Sequence, residues 1–310
     1  MNKPKILFCG QMLSPFIKQD CELIQKEYSA TVVDIDSIRA TRGEIFSYLY
    51  KMSTFVISQI YKTDIVYIWF ADYPAFPLIA VSKLFGKKCI LTVGGWEVAK
   101  YPEIQYGNQL NFLRGAITRW CIRNADIVLT PSEAYRKITL ECEPLANVKV
   151  IPNAIQDGLI SVELPSKKSG IITALFIRND KTSLLKGLDT FIKAVEALPY
   201  PYQILDAIPH EDLMDIFRVS KVYCQLSYTE SFGITNVEAM ACGCVPIVTD
   251  RDALPEIIGD CGVVVPFGDV EATKKAIEVA MTMDGNKARE RAKLFTSEFR
   301  LNALRRIFDE

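Results

Sequence analysis

The chain has a single histidine, His210, among 310 residues. Nine cysteines are present, at 9, 21, 89, 121, 142, 224, 242, 244 and 261, with no C-x-x-C pair, so the sequence assembles no zinc-type ligand set and implies no metal. The thiols fall inside apolar stretches, Cys242-Gly-Cys244 included, which predicts reduced, buried side chains of a cytoplasmic protein rather than disulfides. An excess of either charge is also missing. The formal net charge of −1 argues against a nucleic-acid partner and against a polybasic membrane anchor. No window approaches the roughly 20 apolar residues of a bilayer span, and the opening MNKPKILFCG reads as a strand rather than a secretion signal.

What the sequence does have is alternation. KILFCG, TVVDI, DIVYIWFA, KKCILTV, ADIVLT and NVKVIPN are short apolar runs separated by amphipathic segments. Strands apolar on both faces, alternating with helices, predict parallel sheets covered on both sides. From 153 to 170 the chain turns polar and Pro/Gly-containing, as a linker does, and the alternation then restarts with IITALFI, YQILDAI, KVYCQLS, VPIVT and GVVVP. The helix expected from Lys186 lines one face with Leu188, Phe191, Ile192, Val195 and Leu198. The expected fold is α/β, two doubly wound Rossmann-like domains at 1–152 and 153–294, with a last helix at about 295–310 returning to the first.

YTESFGITNVEAMACGCVP, residues 228–246, carries Glu230 and Glu238 around a small Ser-Phe-Gly turn. Thr235-x-x-Glu238 fits a capping box, in which the threonine and glutamate satisfy each other's backbone N–H at a helix start. A second reading gives the two carboxylates to the two ends of one elongated ligand, as acceptors of hydroxyl hydrogen bonds. Between them, Gly233 and the helix N-terminus offer backbone N–H groups to a phosphate.

ESFGITNVEAMACGCVPIVTD, preceded by KVYCQLSYT and followed by LPEIIGDCGVVVPFGD, resembles the donor-binding region of family-four retaining glycosyltransferases, enzymes of the GT-B fold whose two domains face a cleft. The resemblance extends upstream through ALFIRNDKTSLLKGLDTFIKAV and KVIPNAI and covers most of 147–310. It implies an acceptor-binding first domain and a nucleotide-sugar-binding second domain. In that picture Glu238 holds ribose hydroxyls and Glu230 holds sugar hydroxyls near the reacting carbon, while Arg178 and Lys186 neutralise the donor diphosphate. Ser231, Phe232, Gly233, Ile234 and Thr235 then line the donor, with backbone groups of Phe232, Gly233 and Ile234 meeting sugar and phosphate. The implied reaction moves a hexose from a UDP- or GDP-linked donor to a hydroxyl of a glycan or lipid-linked acceptor, with retention and without a cofactor. The alternative within the fold is a noncatalytic subunit that binds a partner glycosyltransferase.

The first half departs from the family's pattern. After the first strand only Gly10 stands where the family often has a glycine-rich loop at the donor, and no histidine follows the fourth strand. Gly94-Gly95-Trp96-Glu97 occupies that region, and the resemblance places Gly95, Trp96 and Glu97 at the acceptor site. His210 is expected as a helix-start surface residue outside the chemistry. The aromatic-rich stretch 44–62 packs into the core or offers an apolar face to a lipid-linked acceptor, with peripheral contact at the cytoplasmic face of a membrane.

Overall fold

The computed structural model describes residues 3–35, 45–175 and 179–309. It divides into two units, Met1–Pro152 with Arg300–Glu310, and Asn153–Phe299. The first contains β1 (Ile6–Gly10), α1 (Pro15–Gln25), β2 (Ala30–Asp34), α2 (Ile45–Ile60), β3 (Ile65–Trp69), α3 (Ala75–Leu84), β4 (Lys88–Thr92), α4 (Phe112–Asn124), β5 (Ile127–Thr130), α5 (Glu133–Cys142) and β6 (Val148–Val150). These strands form one parallel sheet in the order β2-β1-β3-β4-β5-β6.

Period-two alternation along the strands sends side chains to two cores. Leu7, Cys9, Val66, Ile68, Cys89, Leu91 and Val128 join Val56 and Ile60 of α2 and the inner faces of α3 and α4. Ile6, Phe8, Ile65, Tyr67, Trp69, Ile90 and Leu129 pack on the other face with Ile17 and Ile24 of α1. Leu304, Ile307 and Phe308 complete this second core, so the end of the chain belongs to the first unit. Its buried Arg300 donates to Asp20 through Nε (2.6 Å) and Nη2 (2.9 Å), and to the carbonyls of Ile151 (3.2 Å) and Pro152 (2.9 Å). Tyr67 and Trp69 donate to the same carboxylate, each at 2.9 Å. A buried ion pair so fully hydrogen-bonded offsets its own desolvation.

The second unit contains β7 (Ile171–Leu175), α6 (Asp180–Leu185), α7 (Leu188–Val195), β8 (Tyr202–Asp206), α8 (His210–Val219), β9 (Val222–Gln225), α9 (Ile234–Ala241), β10 (Val245–Thr249), α10 (Leu254–Ile258), β11 (Val263–Val265), α11 (Val270–Thr282) and α12 (Asn286–Ala292). α13 (Ser297–Phe308) runs across the boundary at residue 300. The second sheet is parallel in the order β11-β10-β9-β7-β8, which puts the reversal of strand order between β7 and β9. In open α/β sheets the crevice outside the strand ends at such a reversal is where ligands bind.

One local expectation is corrected. The helix expected from Lys186 starts at Leu188, because Gly187 (φ +67°) breaks it from α6, whose C-terminus Lys186 caps. The polar stretch after residue 152, read as a linker, is hydrogen-bonded to the second unit: the Arg289 guanidinium binds the Ile160 and Val162 carbonyls, and Lys168 Nζ donates to Phe217 O (3.0 Å) and to Cys242 O. Among the described residues no helix is long and apolar enough to cross a membrane.

Candidate functional site

At the strand reversal of the second unit lies a pocket of about 230 Å³, framed by Thr173–Leu175 of β7, Tyr223 and Gln225 of β9, Lys186, Glu230 and the start of α9. Lys186 reaches it because the backbone bends sharply behind it. A Cβ on Gly187 would lie 2.1 Å from the Leu226 carbonyl oxygen, so only glycine lets the α6–α7 turn press this close to the end of β9. Tyr228 N, donating to Leu185 O at 2.7 Å, ties the following loop to the same turn.

The Lys186 ammonium donates to Glu230 Oε2 at 2.9 Å, and Gln225 Nε2 donates to the same oxygen at 3.2 Å. Lysine carries three donors, and one is used here. Beside this pair, Gln225 Oε1 and Ser227 Oγ are buried without a hydrogen-bond partner. Leaving such a group unsatisfied costs about 1–3 kcal/mol, so these two atoms are hydrogen-bonding groups that the pocket can offer to a polar ligand.

α9 supplies the third wall. Gly233 is its N-cap in the left-handed region (φ +80°), and Ile234 and Thr235, whose amides have no helical acceptor, line the pocket. The capping box expected from Thr235 and Glu238 does not form, since Gly233 takes the cap position and puts Thr235 inside the helix with no side-chain cap bond. Glu238 turns elsewhere: its Oε1 meets His210 Nε2 of α8 at 2.8 Å, and its residue surface is almost wholly buried. Phe232 is core, stacked edge-on to Phe295 at 5.4 Å, and leaves only backbone for any ligand. Arg178 lies outside the described residues.

The structure thus brings together Lys186, Glu230, Gly233, Ile234 and Thr235, with Glu238 one turn along α9. Sequence reasoning missed Gln225 and Ser227, whose signal is polar side chains at the end of an apolar strand, and it set His210 aside.

The other candidates lie in the first unit. Gly10 ends β1, and a Cβ there would meet Ile17 Cγ2 at 2.7 Å, so its lack of a side chain serves the packing of α1. Glu97 is buried, and its carboxylate accepts from the amides of Ala71 (3.2 Å), Gly94 (3.0 Å) and Gly95 (2.9 Å). Burial pushes its carboxyl up and these bonds pull it back. It is a staple between the loops after β3 and β4, and the bend it holds includes Phe70 at φ +73°. Trp96 remains 36 % exposed and carries the Arg114 guanidinium over its ring at 4.7 Å, with Asp72 accepting from Arg114 Nε at 2.9 Å. Of Gly95, Trp96 and Glu97, Trp96 is the one that is exposed.

In α2, Val56 and Ile60 are core whereas Tyr50, Phe55 and Ile57, and Tyr61 just after the helix, stay exposed. Among the described residues no cluster of His, Cys, Asp and Glu is arranged to hold a metal.

Comparison with known proteins agrees in both halves. Residues 22–158 match the model of Glycosyltransferase Family 4, and residues 201–295 match that of Glycosyl transferases group 1. The chain is 35 % identical over 68 residues to the O-antigen chain mannosyltransferase B of Escherichia coli, covering 22 % of this chain and 18 % of that protein. It is 27 % identical over 163 residues to the D-inositol 3-phosphate glycosyltransferase of Rhodococcus erythropolis, covering 51 % of this chain and 36 % of that protein. These matches span less than half the length of either relative.

Among solved structures, the sucrose-phosphate synthase of Thermosynechococcus elongatus superposes with a TM-score of 0.76 at 16 % identity, covering 99 % of this chain and 98 % of that one. HepE of Anabaena in complex with UDP gives 0.73 at 15 % identity, covering 98 % and 99 %. At such identity the likeness establishes the fold, which is GT-B.

Proposed function

The chain belongs to the group 1 glycosyltransferases, and from that premise we propose that it moves a hexose from a UDP- or GDP-linked donor to a hydroxyl acceptor. The observation that carries the reading is the pocket at the strand reversal of the second unit, where Lys186, Glu230, two unpartnered buried polar atoms and the start of α9 meet.

In this reading the diphosphate lies against the Ile234 and Thr235 amides, where the helix dipole favours an anion. The two Lys186 donors not given to Glu230 bind phosphate oxygens. Their contribution rises as the nucleoside diphosphate leaves and gains charge, which is the condition for lowering the barrier rather than only binding donor. Glu230, held by Lys186 and Gln225, accepts sugar hydroxyls and fixes the anomeric carbon. Glu238 accepts ribose hydroxyls.

Retention, with the leaving phosphate taking the acceptor's proton on the front face, follows from the resemblance to the family. Positioning and charge stabilisation then supply the rate, and no metal or cofactor enters. Arg178 joins Lys186 at the diphosphate in this proposal.

The acceptor meets the first unit near Trp96. The exposed aromatic and aliphatic side chains of α2 suit a lipid-linked acceptor taken at the cytoplasmic face of a membrane, in glycan, glycolipid or polysaccharide assembly. Thermal-shift and turnover panels of UDP- and GDP-hexoses test the reading. A donor that stabilises the chain and is turned over supports it, provided Glu230→Ala and Lys186→Ala abolish turnover in folded protein. Silence across the panel moves the chain to the noncatalytic alternative.

A further inference from the structure

His210 is the first residue of α8 and the one histidine of the chain. A helix N-terminus repels a cation, so an imidazolium there needs compensation. It has it: Glu211 and Asp212 occupy the first turn of α8, and Glu238 comes across from α9 to place Oε1 2.8 Å from Nε2. Both partners sit one turn from the donor pocket. Leu213, three residues after His210, and Ile234, four before Glu238, line it.

We propose that His210 is the positioning residue of the donor site: its imidazolium holds Glu238 Oε1, leaves Oε2 to a ribose hydroxyl, and cancels a carboxylate charge that would otherwise repel the donor diphosphate. The inference rests on the donor reading of that pocket and adds to it a proton that donor binding takes up.

Hydrogen bonding to Glu238 raises the His210 imidazole above its ordinary value near 6.5, against the opposing effect of burial. The other ionisable groups facing the pair are Glu211 on α8, Tyr223 on β9 and Cys242 at the end of α9. Burial pushes the Tyr223 phenol and the Cys242 thiol up, so neither changes charge near neutrality. The same holds for the other eight thiols. Lys168, whose ammonium donates to Cys242 O, is lowered by burial, and the Arg218 and Arg289 guanidiniums are further cations acting on Cys242.

The sign follows by linkage. If the protonated pair favours donor, donor raises the imidazole pKa, affinity is full below the free value, and it declines as pH rises through it. A bound-state rise of half to one unit corresponds to a roughly three- to tenfold loss of affinity between a pH well below the free value and a pH well above the bound one. Intact nucleotide sugars are the right probes, because their diphosphate diesters do not titrate in this range as a free nucleoside diphosphate does.

With a single histidine, one imidazole Cε1–H resonance of the untagged protein reports its own titration. The experiment follows that resonance against pH, alone and with saturating UDP- or GDP-hexose, beside calorimetric donor affinities at both pH values. The expected result has four parts. The free pKa falls in Glu238→Gln, and donor raises it in the wild type. Affinity loses its pH slope in His210→Gln, whose amide keeps the hydrogen bond without the charge. The bare nucleoside, lacking phosphates, shows no slope in either protein. Donor binding with an unmoved resonance, or a slope that survives in His210→Gln, overturns the inference and leaves the donor reading standing. No binding by any donor at any pH removes the donor reading and the inference together.

Discussion

Lys186→Met removes the cation that Glu230 already binds at 2.9 Å and that, in the proposed reaction, the diphosphate shares. The two side chains are 28 % and 21 % exposed, so the pair works between bulk water and dry interior. There a hydrogen bond to a charged group contributes about 1.5–3 kcal/mol. If one such bond strengthens as the diphosphate leaves, its loss lowers kcat/KM by roughly 10- to 150-fold, mostly in kcat. Methionine keeps the length and apolar stem, and Gln225 still donates to Glu230 at 3.2 Å, so stability changes by about 1 kcal/mol or less. The assay is nucleoside diphosphate release at varied donor concentration, with the melting temperature recorded on the same preparation. Glu230→Gln and the double variant complete a cycle, and the two sites couple by about 0.5–3 kcal/mol because they share one ion pair. A kcat/KM within threefold of wild type at an unchanged melting temperature refutes the assignment.

Other consequences follow from the same geometry. Arg300→Met leaves Asp20 buried with only Tyr67 and Trp69 as donors, and destabilises the chain by about 3–5 kcal/mol in urea titration. A loss under about 1 kcal/mol contradicts the burial argument. Gly187→Ala puts a methyl against the Leu226 carbonyl and forces a left-handed alanine, so it lowers both the melting temperature and donor turnover, whereas an exposed Gly158→Ala, with no atom within 4 Å of its Cβ, affects stability alone. The thiols of Cys21, Cys142 and Cys261, each pushed up to about 11 by burial, alkylate slowly at neutral pH and faster at each step upward, measured by mass spectrometry after timed iodoacetamide. Because the folded His210 pKa is raised, its stabilisation is complete below about pH 6.5 and lost as pH rises through the folded value. The melting-temperature difference between wild type and His210→Gln therefore shrinks with rising pH.

The sheets were legible because the central strands are apolar on both faces and helices such as α7 between them carry one apolar stripe. Lys186 and Glu230, 44 residues apart, were connected only by family resemblance. Nothing in local pattern says that the α6–α7 turn folds onto the loop after β9. That proximity depends on Gly187, which the helical period hid by running through it. The capping box failed for a related reason: Ser-Phe-Gly supplied a left-handed glycine that took the cap, freeing Glu238 to cross to α8. His210 was passed over because its partner lies 28 residues away on another helix, and a surface histidine and a paired one look the same in sequence. Glu97 gives its carboxylate to three amides that set the loop, a role that its place in the sequence does not announce. Short polar motifs announce a bend or a charge, and packing decides which neighbour receives it.

The most direct test is nucleoside diphosphate release from a panel of UDP- and GDP-hexoses by the wild-type chain and by Lys186→Met, with an acceptor extract supplied and both proteins verified as folded. The account predicts release from at least one donor by the wild type and a rate at least tenfold lower in the variant, set by the lost charged hydrogen bond. Equal rates in the two proteins, or a wild type that neither binds nor turns over any donor, contradict it.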